Sequence, residues 1–410
     1  PPRSLRFIKQ ICQYNCLFVF TSMGAKIDWS INDGGGPIFL KINGQVCHRI
    51  GSLLPNEGDT PKYAELYIHD RENEVNNRIQ ALNHENETGA GLDKEIVKGL
   101  MQMLDVNNSL VKKFRMASEI LKNNRHEVIS IRLIAPGEND SAQFNLPATD
   151  ELAALVYGEF TLEAPCRDLI IRTKEDRLRR ISSLDTTYMP LQYPLLFPYG
   201  ERGFQLGVRY IDSNTDDPNK RVKMTMQDFY CFCSHYKPEQ HNPYLCCGLL
   251  SSQAAVDFRA CIDECRLNFI LKCNDDMRAE NLQGVVDAVD QGMVDGSEVG
   301  KKNILPSTYT GGRRYMYENF QDVVAISRVH GSPDVFTTFT CNPKWAQITK
   351  TLKPEQQQVN KAAETDRIYR MKLHEYLQKI KEGKIFGLVI AGNVADDLSP
   401  LSLFSLDMHG

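Results

Sequence analysis

No apolar run in this chain is long enough to cross a bilayer: the run at residues 17–20 falls far short of the roughly 20 residues a spanning helix needs. No secretory leader is visible, so a disulfide-stapled exported scaffold is not expected. There is no internal repeat and no low-complexity segment, which excludes a repeat architecture. There is also no excess of positive charge. Lys and Arg number 48 against 52 Asp and Glu, a net charge of −4, so any contact with nucleic acid must come from local basic patches. A phosphate-binding G-x-x-x-x-G-K-[ST] loop is missing as well. The nearest string, Gly296-Ser297-Glu298-Val299-Gly300-Lys301-Lys302, has one residue too few between its glycines, puts Lys302 where the metal-binding hydroxyl belongs, and follows no apolar strand. It reads as a solvated loop. The first residue is Pro1 rather than methionine, as in a partial gene product.

What is present is the composition of an ordinary soluble protein, 42% apolar and 24% charged, over a length that suggests two or three domains with sizeable cores. Twelve cysteines are many for a chain without an export signal, and most are expected to be reduced and buried. Cys231, Cys233, His235, His241, Cys246 and Cys247 crowd into one stretch. Zinc sites favour C-x2–4-C pairs on tight turns, whereas these pairs are Cys-x-Cys and Cys-Cys, the first on an expected helix where i and i+2 diverge. They are read as core thiols that do not converge on a metal; a zinc-dependent binding protein is the weaker rival.

Short strands are expected at 17–22, 37–42, 45–50 and 63–68, punctuated by Gly34-Gly35-Gly36-Pro37 and by the hairpin signal Asn43-Gly44. Helices are expected at 72–82 and 94–122, the second broken near Asn107-Asn108. Residues 128–134 alternate as a strand does, and 151–157 could be helix or strand. The run LQYPLLFPYGERGF at 191–204 holds two prolines that forbid a regular helix, and its aromatics suggest a packed linker or lid over a core. Residues 213–221 are polar and turn-rich, the best place for a boundary. Helices follow at 225–236, 249–278 and 281–290, then a charged loop at 292–302. A charged helix is expected at 353–384, with Tyr369, Met371, Leu373, Tyr376, Leu377 and Ile380 at helical spacing.

The chain is organised around residues 304–348, which read as loop, helix, turn, strand, loop. Gly311-Gly312 precede Arg313-Arg314, a helical pattern offers an apolar face of Tyr315, Phe320, Val323, Val324 and Ile326, and Gly331 to Pro333 stops it. Val335 to Phe339 is expected to be a central strand with Phe336 and Phe339 on opposite faces and Thr337 sharing a face with Phe339. Leu305-Pro306-Ser307, Thr310-Gly311-Gly312, Tyr315-Met316, Asn319-Phe320-Gln321-Asp322 and above all FTTFTCNPKW, Phe336 to Trp345, resemble the helicase-like N-terminal region of Helitron transposases, a rolling-circle transposon family. Further matching strings are Phe20-Thr21-Ser22-Met23-Gly24, His48-Arg49-Ile50-Gly51-Ser52-Leu53-Leu54-Pro55, Leu66-Tyr67-Ile68 and the 191–204 run. The resemblance reaches, with gaps, from about Phe18 to Gly387.

The resemblance implies an α+β fold: a mixed N-terminal region over 1–212, a helicase-like N-terminal domain over 222–387 that leads into an incomplete rolling-circle nuclease, and a divergent tail over 388–410. It favours strand over helix at 151–157, because it implies a further strand at 169–171 beside it. It marks Phe336, Thr338, Thr340, Asn342 and Pro343 as the motif strand that underlies the nuclease site. In the family a His-hydrophobic-His strand holds a divalent metal and tyrosines on a later helix attack the phosphate. No His-x-His occurs in this sequence, and His374 and His409 are isolated. No catalytic residue and no metal ligand is therefore assigned, and divalent metal and ATP are expected only of the full-length family. The implied function is the N-terminal fragment of a transposon Rep/helicase, DNA-binding and catalytically incomplete; the rival is a domesticated, non-enzymatic DNA- or protein-interaction module. The partner implied is DNA, single-stranded, and a nuclear location.

The residues themselves suggest where DNA would be met. Glycines let a backbone approach, a helix N-terminus presents free N–H groups, and Arg313 and Arg314 add charge; Lys301, Lys302 and Lys344 extend the patch if the fold brings them close. Among Trp345, Tyr315, Tyr317 and Phe320, which could stack on unpaired bases, Trp345 just past a strand end is the best candidate for exposure, while the others fit a core. The tail from about 393 onward, with Asn393, Asp396-Asp397 and Pro400, is expected to be exposed or poorly ordered.

Overall fold

The computed structural model describes residues 2–24, 26–28, 41–43, 47–56, 58–84, 91–123, 129–133, 153–157, 169–172, 178–210, 222–239, 241–274, 305–342, 344–351, 362–395 and 401–408. The expected helix at 281–290, the loop at 292–302 with Lys301 and Lys302, the whole 213–221 boundary, and Pro343 lie outside them. The fold is α+β, and the chain forms two units, Pro1–Cys265 and Arg266–Gly410.

In the first unit the helices are α1 (Pro2–Lys9), α2 (Ile11–Cys16), α3 (Glu74–His84), α4 (Lys94–Asn107), α5 (Ser109–Asn123), α6 (Tyr188–Gln192), α7 (Met226–Cys233), α8 (Pro243–Cys246) and most of α9 (Leu249–Asn274). The strands are β1 (Ser22–Met23), β2 (Lys26–Asp28), β3 (Lys41–Asn43), β4 (His48–Ile50), β5 (Ile129–Leu133), β6 (Ala153–Tyr157), β7 (Leu169–Arg172) and β8 (Arg179–Arg180). They pair antiparallel as β1-β4-β8, β2-β3 and β6-β5-β7, so β5 lies between the two strands expected to be neighbours.

The break at Asn107-Asn108 falls where the sequence places it, and the cause is a cap. Asn108 leaves helical geometry, its Oδ1 accepts from the Leu110 and Val111 amides, and its Nδ2 donates to the Phe197 carbonyl. The turn that delivers this carbonyl needs Gly200, which sits at φ +67; a Cβ there would lie 2.7 Å from Asn108 Oδ1.

Two strand expectations fail. Residues 17–20 form no strand: Leu17, Phe18, Val19 and Phe20 are all buried, and the Phe20 amide bonds to the Leu191 carbonyl instead of a ladder. Tyr63–Tyr67 is a 3-10 helix, its entry fixed by the Glu65 carboxylate accepting from the Lys62 amide. An apolar run buried on all sides has no two-residue period to enforce a strand. Of the two expectations for the 191–204 run, a packed linker or a lid over a core, the structure shows the packed one. Leu191, Tyr193, Leu196 and Phe197 are buried in the middle of the core, together with Phe18, Phe20, Tyr67, Phe114, Tyr230 and Phe258.

The second unit contains α10 (Arg313–His330), β9 (Val335–Thr340), α11 (Ala346–Thr351), α12 (Ala362–Lys381), β10 (Val389–Ala395) and β11 (Leu401–Met408). Gly331, at φ +97, ends α10 as expected. Its three strands run antiparallel in the order β10-β11-β9. This corrects two expectations. β9 is a strand with the anticipated alternation, Val335, Thr337 and Phe339 half-buried and Phe336, Thr338 and Thr340 exposed, but among the described residues it lies at an edge and not at the centre. The tail from about 393, expected to be exposed or poorly ordered, carries strand: β10 extends through Asn393 to Ala395, and β11 pairs along β9 from Leu401↔Thr340 to Leu406↔Val335. The strand breakers Asp396, Asp397 and Pro400 fall between β10 and β11. An unpaired edge of β9 is a template, and the alternating LSLFSL segment supplies the missing ladder.

Candidate nucleic-acid interface

Beneath β9 lies a small aromatic core. Tyr369 and Leu373 of α12 are buried there against Phe339, Cys341, Trp345, Tyr376 and Leu377. Phe339 stacks on Tyr376 with ring centroids 4.9 Å apart, and the Tyr369 hydroxyl donates to the Phe339 carbonyl at 3.2 Å. The next turn is set by Asn342, whose Oδ1 accepts from the Lys344 amide at 2.9 Å. That turn leaves the Lys344 side chain exposed and swings Trp345 inward, to 6.0 Å from Phe339. Trp345, the aromatic residue expected to be most exposed, is therefore a half-buried part of this core. Burial, with a smaller contribution from Asp366, raises the Cys341 thiol above its usual range.

The start of α10 carries two exposed arginines next to a buried glycine. The Gly312 amide closes a turn onto the Tyr309 carbonyl at 3.0 Å, and the Gly312 carbonyl accepts from the Met316 amide. Gly312 is the N-cap, and as a glycine it brings no side chain to cap the helix. A Cβ at Gly312 would lie 2.9 Å from the Tyr309 oxygen, the close approach that selects glycine here. Arg313 and Arg314 follow, both exposed. An uncapped N-terminus beside two guanidiniums has the donors and the field that suit a phosphate. No residue of α10 is fully buried, and Phe320, expected on its apolar face, is 59% exposed.

Among the described residues, the exposed face of β9 does not offer the donors that hold a divalent cation. Its exposed residues are Phe336, Thr338 and Thr340; registered against them on β11 are Ser405, Leu403 and Leu401. None is a carboxylate or an imidazole, the groups that hold such metals. His374 is exposed on α12, and no group of three or more His, Cys, Asp or Glu suited to a metal occurs among the described residues. In the cysteine-rich stretch Cys231 and Cys246 are exposed, while burial pushes the Cys233 and Cys247 thiols up to about 11, the behaviour of inert thiols.

Sequence reasoning missed the outward face of α10, where Tyr317, Phe320 and Arg328 stand in solvent. Helical arithmetic contained the signal: Tyr315, Asn319, Val323, Ile326 and His330 share one side and are half-buried, and Phe320 is not on that side.

The second unit is α+β, with an antiparallel sheet and a basic helix start. Residues 229–394 match the family described as the Helitron helicase-like domain at N-terminus, and this part of the chain is a Helitron helicase-like N-terminal region. The match spans less than half of the chain and includes α10, β9, α12 and nearly all of β10. No curated protein matches the chain.

Proposed function

We propose that this chain is the DNA-engaging N-terminal portion of a Helitron-type Rep/helicase, that single-stranded DNA is its partner, and that its 410 residues do not by themselves assemble a nuclease or ATPase site. The observation that carries the reading is the exposed, uncapped α10 N-terminus with Arg313 and Arg314, inside the stretch that matches the Helitron helicase-like family. With a net charge of −4 the chain has no general affinity for polyanions, so such a local site has to supply the binding. A non-enzymatic interaction module is the second reading. It is favoured by β11, which occupies the edge of β9 and brings no histidine to it over Leu401–Met408.

Titrating the protein into labelled single-stranded DNA at salt concentrations from about 50 to 200 mM should show affinity falling steeply with salt. Arg313→Ala with Arg314→Ala should weaken binding to all sequences alike and flatten the log–log salt slope by about 1–2 units. Binding that is absent, or indifferent to salt, would overturn the DNA reading.

Incubation of the same protein with single-stranded DNA and Mn²⁺ or Mg²⁺ is expected to yield neither a nicked strand nor a covalent adduct. A tyrosine-linked adduct abolished by chelation would show that a nuclease site is assembled after all.

A further inference from the structure

We infer that the outward face of α10 is a base-stacking track for unpaired DNA, built from Tyr317 and Phe320 between Arg313 and Arg328. The inference rests on the DNA-binding reading and gives it a physical basis for choosing single strands. In an α-helix each residue advances by about 100°, so Arg313, Tyr317, Val324 and Arg328 fall on one side, with Phe320 and Gln321 flanking them; Val324 is half-buried and the other five are exposed. On the opposite side Tyr315, Asn319 and Val323 are half-buried, and α10 lies against β10.

Two aromatic rings on this face are bare. Tyr317 is 63% exposed and Phe320 59%, and their centroids lie 6.5 Å apart, so the rings are neighbours and not scattered. Paired exposed rings are unfavourable in water unless something covers them, and bases that have lost their own stacking partners do so irrespective of sequence.

Charge selects the occupant. Arg313 and Arg328 bracket the rings, separated by about 22 Å of helix at 1.5 Å per residue. Neither makes an ion pair among the described residues. The carboxylates of this helix, Glu318 and Asp322, project to one flank, away from the Tyr317 side. An apolar protein partner would cover the rings but leave both guanidiniums unanswered. A single DNA strand answers both features, its bases on the rings and its phosphates on the arginines. A duplex keeps its bases stacked internally and could use only the arginines.

The test compares an oligothymidine with an abasic oligonucleotide of the same length, by fluorescence anisotropy of the full chain. Wild type should bind the oligothymidine at least about tenfold more tightly than the abasic strand. Tyr317→Ala with Phe320→Ala should remove that preference and leave the salt slope unchanged, because no phosphate contact is lost. Tyr317→Phe should retain the preference, which separates stacking from loss of fold. If the double alanine variant kept full preference for the oligothymidine while binding remained steep in salt, this inference would fall and the DNA-binding reading would stand. If wild type bound neither strand, both would fall.

Discussion

Asp257→Ala is expected to lower the stability of the first unit by about 3–5 kcal/mol. Asp257 is buried on α9, next to two hydrogen-bond partners from distant parts of the sequence. Its Oδ2 is 2.7 Å from His48 Nε2 and accepts from the Tyr193 hydroxyl at 3.1 Å. The other ring nitrogen of His48 lies 3.3 Å from the Tyr188 carbonyl, and the imidazole stacks on the Tyr188 ring at 3.8 Å. His48 and Asp257 are almost wholly excluded from solvent. Burial, reinforced by Asp257, drives the Tyr193 hydroxyl well above its usual range, so it stays protonated and donates. Truncating the carboxylate would orphan the imidazole and the phenol in a place water does not reach. Asp257→Asn retains one acceptor oxygen and should cost less, about 1–3 kcal/mol. Urea unfolding followed by circular dichroism measures both. A midpoint for Asp257→Ala close to that of wild type would mean that the network is incidental to the fold. The network joins β4, the 188–193 segment and α9, and so links the region matching the Helitron helicase-like family to sequence well before it.

A second large effect is expected at Glu74, with a pH signature. Glu74 is buried at the start of α3 and bridges two buried arginines: Arg78 Nε donates to it at 2.8 Å and Arg115 Nη2 at 2.9 Å. Arg78 is sandwiched over the Phe18 and Tyr67 rings, 4.8 and 4.2 Å from their centroids, and also donates to the Leu17 carbonyl. Arg115 reaches Asp105 and the Tyr67 carbonyl as well. Burial alone would raise the Glu74 pKa, but Arg78 and Arg115 outweigh it and the net shift is downward. A carboxylate whose folded pKa lies below its unfolded value stabilises the fold fully above the unfolded value, about 4.3, and loses that contribution as pH falls through the folded pKa. Wild type should therefore lose stability on acidification below about pH 4. Glu74→Gln should be less stable at neutral pH and show a flatter acid limb. Glu74→Ala, which leaves both arginines without their shared carboxylate, should cost about 3–5 kcal/mol at pH 7. Stability curves measured from pH 7 down to 3 decide the matter: parallel acid limbs for wild type and Glu74→Gln would rule out Glu74 as the group responsible.

Local features were readable from the chain because their causes are local. The α4–α5 break follows from an asparagine able to cap, the end of α10 from a glycine free to take positive φ, and the alternation of β9 from a two-residue period that backbone geometry imposes. The match to the Helitron helicase-like family was readable in the same way, from an ordered string of residues through α10 and β9. The buried run at 17–20, the 3-10 helix at Tyr63–Tyr67, the position of β9 within its sheet and the recruitment of β11 were not. Each depends on which distant segment answers a backbone group or covers a side chain. The same holds for the aromatics: the sequence favoured Trp345 for exposure and Phe320 for the core, and the structure reverses both, with Trp345 packed against α12 and Phe320 in solvent.

By itself, then, the sequence determined the α4–α5 break, the end of α10 and the alternation of β9, because those follow from torsional preference, capping and periodicity between near neighbours, while its motif strings carried the resemblance that implied the α+β class and the family of the 229–394 region. Only the tertiary structure decided that His48 meets Asp257, that Glu74 is shared by two arginines, and that Tyr317 and Phe320 remain uncovered. Such pairings join residues up to 209 positions apart, and they are fixed by what each buried polar group must find once water has been excluded.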